Sequence, residues 1–307
     1  MEWTADVALG RWIVDGTSGQ LGPSVPDLVP GGFAAYARIF HPLTRSAGDD
    51  ESPEAAVRWA EAAADFGTAM GPLAQSAVLR RAGDPWSSAA TVASSGLVYG
   101  PPDQGRLSQL PAVLRLLIRH TSTPEAAVAA IWEGWGGLVS SGGHVSLTLP
   151  SRQDARSGCL SALATRLSPR PGTGILRYCP APNRGKRQSS RPGTGVLPAQ
   201  VATGPKLELP GRSFFLARTS LQELMADDWE DTVLWAMPPF VHTPSLLWPD
   251  DHAWVLATEI DFDSTIIAGS RALVDELTRS DTIEALEVPA TADLAWDPRP
   301  DAAGVDE

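Results

Sequence analysis

The stretch from Ser151 to Lys206 most constrains what this chain can fold into. Gly, Pro and Ser supply 7, 7 and 6 of its 56 residues, and the pentapeptide Arg-Pro-Gly-Thr-Gly begins at Arg170 and again at Arg191. With so few large apolar side chains it cannot offset the entropy of ordering its backbone. The sequence therefore predicts a disordered insertion over 151–206, with at most a short helix near Cys159–Leu167. Any folded core must come from what flanks it, residues 1–150 and 207–298, which we expect to form one domain. Residues 299–307 read as an acidic tail.

The insertion is also electrostatically distinct. It holds ten Lys and Arg against the single acid Asp154, a net of +9, so the rest of a chain of net charge −12 carries −21. An acidic body argues against general affinity for nucleic acid or anionic lipid. No run of about 18 apolar residues appears, and Met1–Val14 lacks the pattern of a signal peptide. Both cysteines, Cys159 and Cys179, lie in the insertion, so no disulfide framework or CxxC zinc pattern is visible. These features predict a cytoplasmic protein without a membrane partner and with no nucleic-acid role.

Periodicity gives a mixed reading of the flanks. Arg11–Asp15, Phe33–Phe40, His144–Leu149 and Ser213–Arg218 read as strands, and Ala253–Ser264 as the strongest strand of all. Ser52-Pro53-Glu54 has the chemistry of a helix start, with Trp59, Ala62, Ala63 and Phe66 on one face and Gly67 as the stop. Gln109–His120 reads as a helix with Leu110, Leu114, Leu117 and Ile118 in its apolar stripe. Thr123-Pro124-Glu125 predicts a third helix ending near Glu133 and packed on the second. Leu221–Trp229 and Arg271–Arg279 read as helices, and Pro238–His252 as a structured loop. The elements come in mixed order without βαβ spacing. The expected fold class is therefore α+β, with a mixed or antiparallel sheet and packed helices.

No sequence motif for catalysis stands out. The closest feature is Glu259-Ile-Asp-Phe-Asp263. On a strand, Glu259, Asp261 and Asp263 would share one face about 6.7 Å apart. Their repulsion is roughly 0.6 kcal/mol per pair in water and about 2.5 kcal/mol at an effective dielectric of about 20. A solvated face needs no partner. A buried one needs arginines or a hard cation such as Mg²⁺ or Ca²⁺, and no other cofactor is expected. His41, before Pro42, and His252, in Pro249-Asp-Asp-His252, are the candidate bases for a hydrolase built on such a site. The alternative, which the missing catalytic motif favours, is an intracellular binding or regulatory module with a protein partner. Eleven tryptophans are present. Trp59 and Trp254 fall in regular elements and read as core. Trp132, Trp135 and Trp248 fall at element ends and on loops, where rigid aromatic area can mark a binding surface, and Arg38 joins them as a binding candidate.

Several short stretches carry a resemblance: Tyr36-Ala-Arg-Ile-Phe-His-Pro42, Thr121-Ser-Thr-Pro-Glu125 followed by Trp132-Glu-Gly-Trp-Gly136, Leu209-Pro-Gly-Arg212, and Trp254–Thr265 followed by Gly269-Ser270. Together they resemble a family of uncharacterised proteins from high-GC Gram-positive bacteria. The resemblance covers most of the chain outside the insertion and implies no activity, cofactor or site residue.

Overall fold

Alternating side chains build the centre of this protein. The structure, a computed structural model, describes residues 1–48, 54–83, 87, 89–139, 146–147, 176–177, 195–237 and 241–294. Most of the expected disordered insertion, 151–206, and the acidic tail lie outside the described residues; residues 195–206 are instead folded, with Leu197 and Ala202 buried in the main core, so the ordered chain resumes before Leu207. The chain begins with β1 (Glu2–Thr4), a 3-10 turn, α1 (Arg11–Gly16) and α2 (Val25–Leu28). Next come β2 (Ala35–Phe40), β3 (Leu43–Ser46), β4 (Ala55–Val57), α3 (Trp59–Phe66), α4 (Ser76–Leu79), β5 (Thr91–Val92), β6 (Val98–Gly100) and α5 (Leu110–Leu117). Central strand β7 (Ala127–Trp132) precedes a paired β8 (Ser146–Leu147) and β9 (Leu176–Arg177). Then α6 (Ala199–Ala202), β10 (Leu207–Leu209), β11 (Arg212–Thr219), α7 (Leu221–Met225) and α8 (Trp229–Thr232) lead to the last stretch. It comprises β12 (Leu246–Pro249), β13 (Val255–Ala257), β14 (Ser264–Gly269), α9 (Arg271–Thr278) and β15 (Ala285–Val288).

The main sheet runs β1-β11-β7-β12-β13-β14-β2-β15, with β10 also paired to β11. It takes β1, β2 and β7 from before the insertion and the rest from after it. Every ladder is antiparallel. The α+β class with an antiparallel sheet and packed helices is thus what the chain forms.

Period-two alternation sends the two faces of this sheet into separate cores. Ala37, Ala129, Ala217, Leu256 and Ile267 face a helical layer of α5, α7 and α9. Tyr36, Val128, Leu216, Val255 and Ile266 face the N-terminal segment, including Ile13, Val25 and Leu28. A third core joins the small sheet β4-β3-β6-β5 to α3, through Phe40, Trp59, Phe66 and Tyr99. Both Trp59 and Trp254 are fully buried, as expected.

Several elements differ from the sequence reading. Arg11–Asp15 is helical: only Ile13 of α1 is buried, and the Arg11–Asp15 ion pair spans one turn. The third predicted helix is instead β7, hydrogen-bonded on both sides to β11 and β12. Its alanines favour a helix by only tenths of a kcal/mol per residue, and two ladders plus burial on both faces outweigh that. In consequence α5 packs on α7 and α9 rather than on a helix at 123–133. Within the predicted loop 238–252, Leu246–Pro249 is a buried strand.

Helix α3 starts at Trp59, later than the Ser52-Pro53-Glu54 signal implies, because Ala55–Val57 pairs with β3. Its first amides find a cap from far along the chain. The Glu284 carboxylate accepts from Trp59 N at 2.5 Å and Ala60 N at 2.9 Å. Glu284→Ala is expected to cost about 1–2 kcal/mol, the usual loss of an N-terminal cap. Glu284→Gln, which keeps one acceptor oxygen, should cost less. Urea unfolding of both variants checks this, and equal costs would mean that the cap is not the cause.

Candidate functional site

One end of the main sheet gathers most of the polar side chains that the sequence singles out. Antiparallel register brings there the end of β2, the start of β14, the end of β13, the start of β12, the end of β7 and the start of β11. The Glu259–Asp263 segment is not a strand, as the sequence reading had it, but the hairpin turn that closes this end. Val255–Ala257 and Ile266–Ala268 pair with each other, and Phe262 N donates to Glu259 O at 3.0 Å. The three carboxylates therefore do not share a strand face.

They divide between two arginines. Arg212 Nη2 meets Glu259 Oε1 at 2.6 Å and Asp261 Oδ2 at 3.0 Å, and its guanidinium lies 5.4 Å from the centre of the Trp132 ring. The tight Pro210-Gly211 turn sets Arg212 in place: Gly211 has φ +69°, and a Cβ there would strike Leu21. A positive φ after proline is the signature of a type II turn. Asp263 pairs instead with Arg38 Nη2 at 3.3 Å.

Arg38, expected as a binding residue, is an internal tie and only 1% exposed. Its Nε donates to Ser264 Oγ at 2.8 Å, and Nη1 donates to the carbonyls of Pro72 and Ala74. The guanidinium also lies 4.8 Å from the Phe40 ring centre. Arg38 thus joins the main sheet to the loop before α4.

His41 is fully buried. Gly105 brings its loop against the turn, its N–H on Phe262 O at 2.9 Å and no room for a Cβ beside Ile260. That approach puts the Asp103 carbonyl 2.7 Å from His41 Nδ1. A carbonyl only accepts, so Nδ1 carries the proton, and Nε2 accepts from Thr265 Oγ1 at 2.9 Å. Thr258 Oγ1 continues the chain at 2.8 Å. Burial pushes the imidazole pKa down despite the Asp103 carbonyl and the charge of Asp263. The Nε2 lone pair that a base would use is therefore engaged in the interior.

His252 lies at the opposite end of the β13–β14 ladder. It has φ +53° and stacks on Trp12 with ring centres 4.3 Å apart. The two candidate bases are not brought together. Nor do the three candidates Trp132, Trp135 and Trp248 form a surface. Trp248 is 1% exposed within β12, and Trp135 is buried against His242 at a ring distance of 3.6 Å. Their aromatic area seals the cores from within, which overturns the expected loop surface. Of these three only Trp132 is partly open. Among the described residues no group of three or more His, Cys, Asp or Glu is placed to hold a metal. Nor is any described helix long and apolar enough to cross a membrane.

Beside the Arg212 node runs a furrow between the N-terminal segment and the sheet, lined by Leu21, Asp27, Leu28, Phe214, Leu246 and Ile260 among others. Its enclosed volume is about 30 Å³, room for a single water rather than a substrate. Burial pushes the Asp27 carboxyl upward, but hydrogen bonds from Ser18 and Ser24 outweigh that and hold it below the usual range, so it stays ionised. Leu21 stands 58% exposed on the rim. Sequence reasoning missed Leu21 and Asp27. Arg212 was in view only as part of Leu209-Pro-Gly-Arg212, where the Pro-Gly turn was the available signal. Comparison with protein-family models, curated proteins and solved structures found no match for this chain.

Proposed function

We propose that this chain is an intracellular protein-recognition module, and that its partner docks across the furrow at the Arg212 end of the sheet. The observation that carries the reading is the pairing of an exposed leucine with an excess of carboxylate. Leu21 presents apolar surface on the rim, while Asp27, Glu259 and Asp261 set three negative charges against the one positive charge of Arg212. Side-chain exposure of 61% leaves Asp261 open to a further cation. The partner fitting this chemistry is a basic protein segment with an apolar residue beside its Lys or Arg. An acidic body steers such a segment toward contact. Placement in the cytoplasm belongs to the same proposal and rests on the sparse cysteines.

The test uses the full chain as bait in lysate of its own source cells, with chemical cross-linking to map the contact. The partner is then purified and its affinity measured against wild type, Leu21→Asp and Asp261→Lys. Both substitutions are at exposed side chains, and Glu259 still pairs with Arg212 when Asp261 is replaced, so the thermal midpoint should move little. We expect cross-links to a basic partner segment and at least tenfold weaker binding by each variant, with affinity falling as salt rises. Unchanged affinity in both variants, or cross-links confined to another face, would remove this surface.

A further inference from the structure

A second concavity lies away from that sheet end, beside the small sheet β4-β3-β6-β5. Phe66 from α3, Arg80 and Arg81 after α4, and Thr91, Val92 and Ser94 around β5 line a space of about 350 Å³. That is within the range of small-molecule sites, about 300–1,000 Å³, and over ten times the furrow at Arg212. Three observations give it a chemical character.

The first is Arg81. It follows the C-terminus of α4 with φ +53°, and Ala82 N closes the turn on Ala77 O at 2.8 Å. This left-handed position after a helix is one that glycine or asparagine normally fills. An arginine here strains the backbone, and strain of this kind clusters at ligand sites. Its guanidinium makes one marginal bond, Nη2 to the Gly67 carbonyl at 3.5 Å, and has no other partner among the described residues. Most of its donors are therefore available at the mouth of the space.

The second observation is Thr91. Its Oγ1 is buried and has no hydrogen-bond partner, and the residue lines the same space. A buried hydroxyl without a partner is uncommon in native proteins. The third is apolar: Phe66 supplies a ring, and Val92, on the edge strand β5, is 66% exposed. Arg80 contributes wall rather than reach, since its Nη atoms bond the carbonyls of Ser87, Ala89 and Tyr99.

We propose that this cavity binds a small organic anion, a carboxylate or phosphate monoester on an apolar body. The anionic oxygens take the Arg81 guanidinium and the Thr91 hydroxyl, and the apolar body lies against Phe66 and Val92. The inference is independent of the protein-docking surface at Arg212.

The test is calorimetric titration of the full chain with phenyl phosphate and with benzoate, using benzyl alcohol as the uncharged control. We expect saturable binding of at least one anion and none of the alcohol. Tighter phenyl phosphate would assign the phosphate class, and tighter benzoate the carboxylate class. Arg81→Gly is the decisive variant. It relieves the left-handed strain and should leave the thermal midpoint equal or higher, yet weaken anion binding at least tenfold. Thr91→Val should keep the fold and weaken binding several-fold. No saturable binding of either anion at millimolar concentration overturns the proposal. Equal affinity in wild type and Arg81→Gly does so too.

Discussion

Arg38→Ala is expected to cost about 4 kcal/mol of folding stability, the largest loss we predict for any single charged side chain here. The side chain is only 1% exposed, and burial pushes its pKa down against the opposing pull of Asp263. Truncation removes a large buried side chain packed near Phe40 and Trp59. It also strips one partner from Ser264 Oγ, the carbonyls of Pro72 and Ala74, and Asp263. Orphaned buried acceptors cost about 1–3 kcal/mol each when no water replaces the donor. Asp263→Asn makes the complementary change, leaving a buried cation without its carboxylate. Removing one partner of a buried pair costs about 3–5 kcal/mol. The Asp263 side chain keeps 16% of its exposure, so water screens part of that loss and we expect about 2–3 kcal/mol. The double variant Arg38→Ala with Asp263→Asn should cost less than the two single changes added, by about 1–2 kcal/mol, because the second change removes a group already stranded by the first. Urea unfolding measures all three. A cost below about 1 kcal/mol for Arg38→Ala would show that the loop before α4 does not depend on this tie.

That arginine illustrates why the fold was more legible than the site. Alternation in Ala35–Phe40 and Arg212–Thr219, and the apolar stripe of Leu110–Leu117, are local patterns, and all three elements form where they predict. Ala127–Trp132 misleads because alanine is a good helix former, and its strand state depends on two neighbours far away in sequence. The turn at Glu259–Asp263 misleads for a related reason. Its apolar and acidic residues alternate as in a strand, but the reversal is imposed by pairing between Val255–Ala257 and Ile266–Ala268. Once the segment turns, its carboxylates point to different arginines, and no local spacing tells which ones. Tryptophan position was similarly non-local. Trp248 follows a Pro-rich stretch that reads as loop, yet β7 on one side and β13 on the other bury it. Of the interior, periodicity alone is legible in the chain. Partners separated by 225 residues, such as Arg38 and Asp263, emerge only from the register of the assembled sheet.

Acid should destabilise this protein well above the range in which its carboxylates protonate, through His242. Burial, reinforced by the charge of Arg106, pushes this imidazole down to about 4, from an ordinary value near 6.5. Its ring lies flat on Trp135 with centres 3.6 Å apart, so solvent reaches little of it. The sign follows from proton uptake. Below pH 6.5 the unfolded chain protonates His242 while the folded chain does not, so each added proton favours unfolding. The stability that His242 confers is complete above pH 6.5, declines as pH falls, and is gone near pH 4. A difference of about 2.5 pKa units corresponds to roughly 3 kcal/mol across that window. His41 is also depressed by burial and acts in the same direction. We therefore expect the urea midpoint of wild type to drop steeply between pH 6.5 and pH 4. His242→Phe keeps an aromatic ring against Trp135 and removes the titration. The variant should be within about 1 kcal/mol of wild type at pH 7.5 and more stable than wild type by about 2 kcal/mol at pH 4.5. An NMR titration of the imidazole resolves the cause directly. A His242 midpoint near 6.5 in the folded state would contradict the argument, as would parallel pH profiles for wild type and variant. The slope that remains in His242→Phe includes His41, whose Nε2 must give up the Thr265 hydroxyl before it can take a proton, together with His120, which burial also depresses.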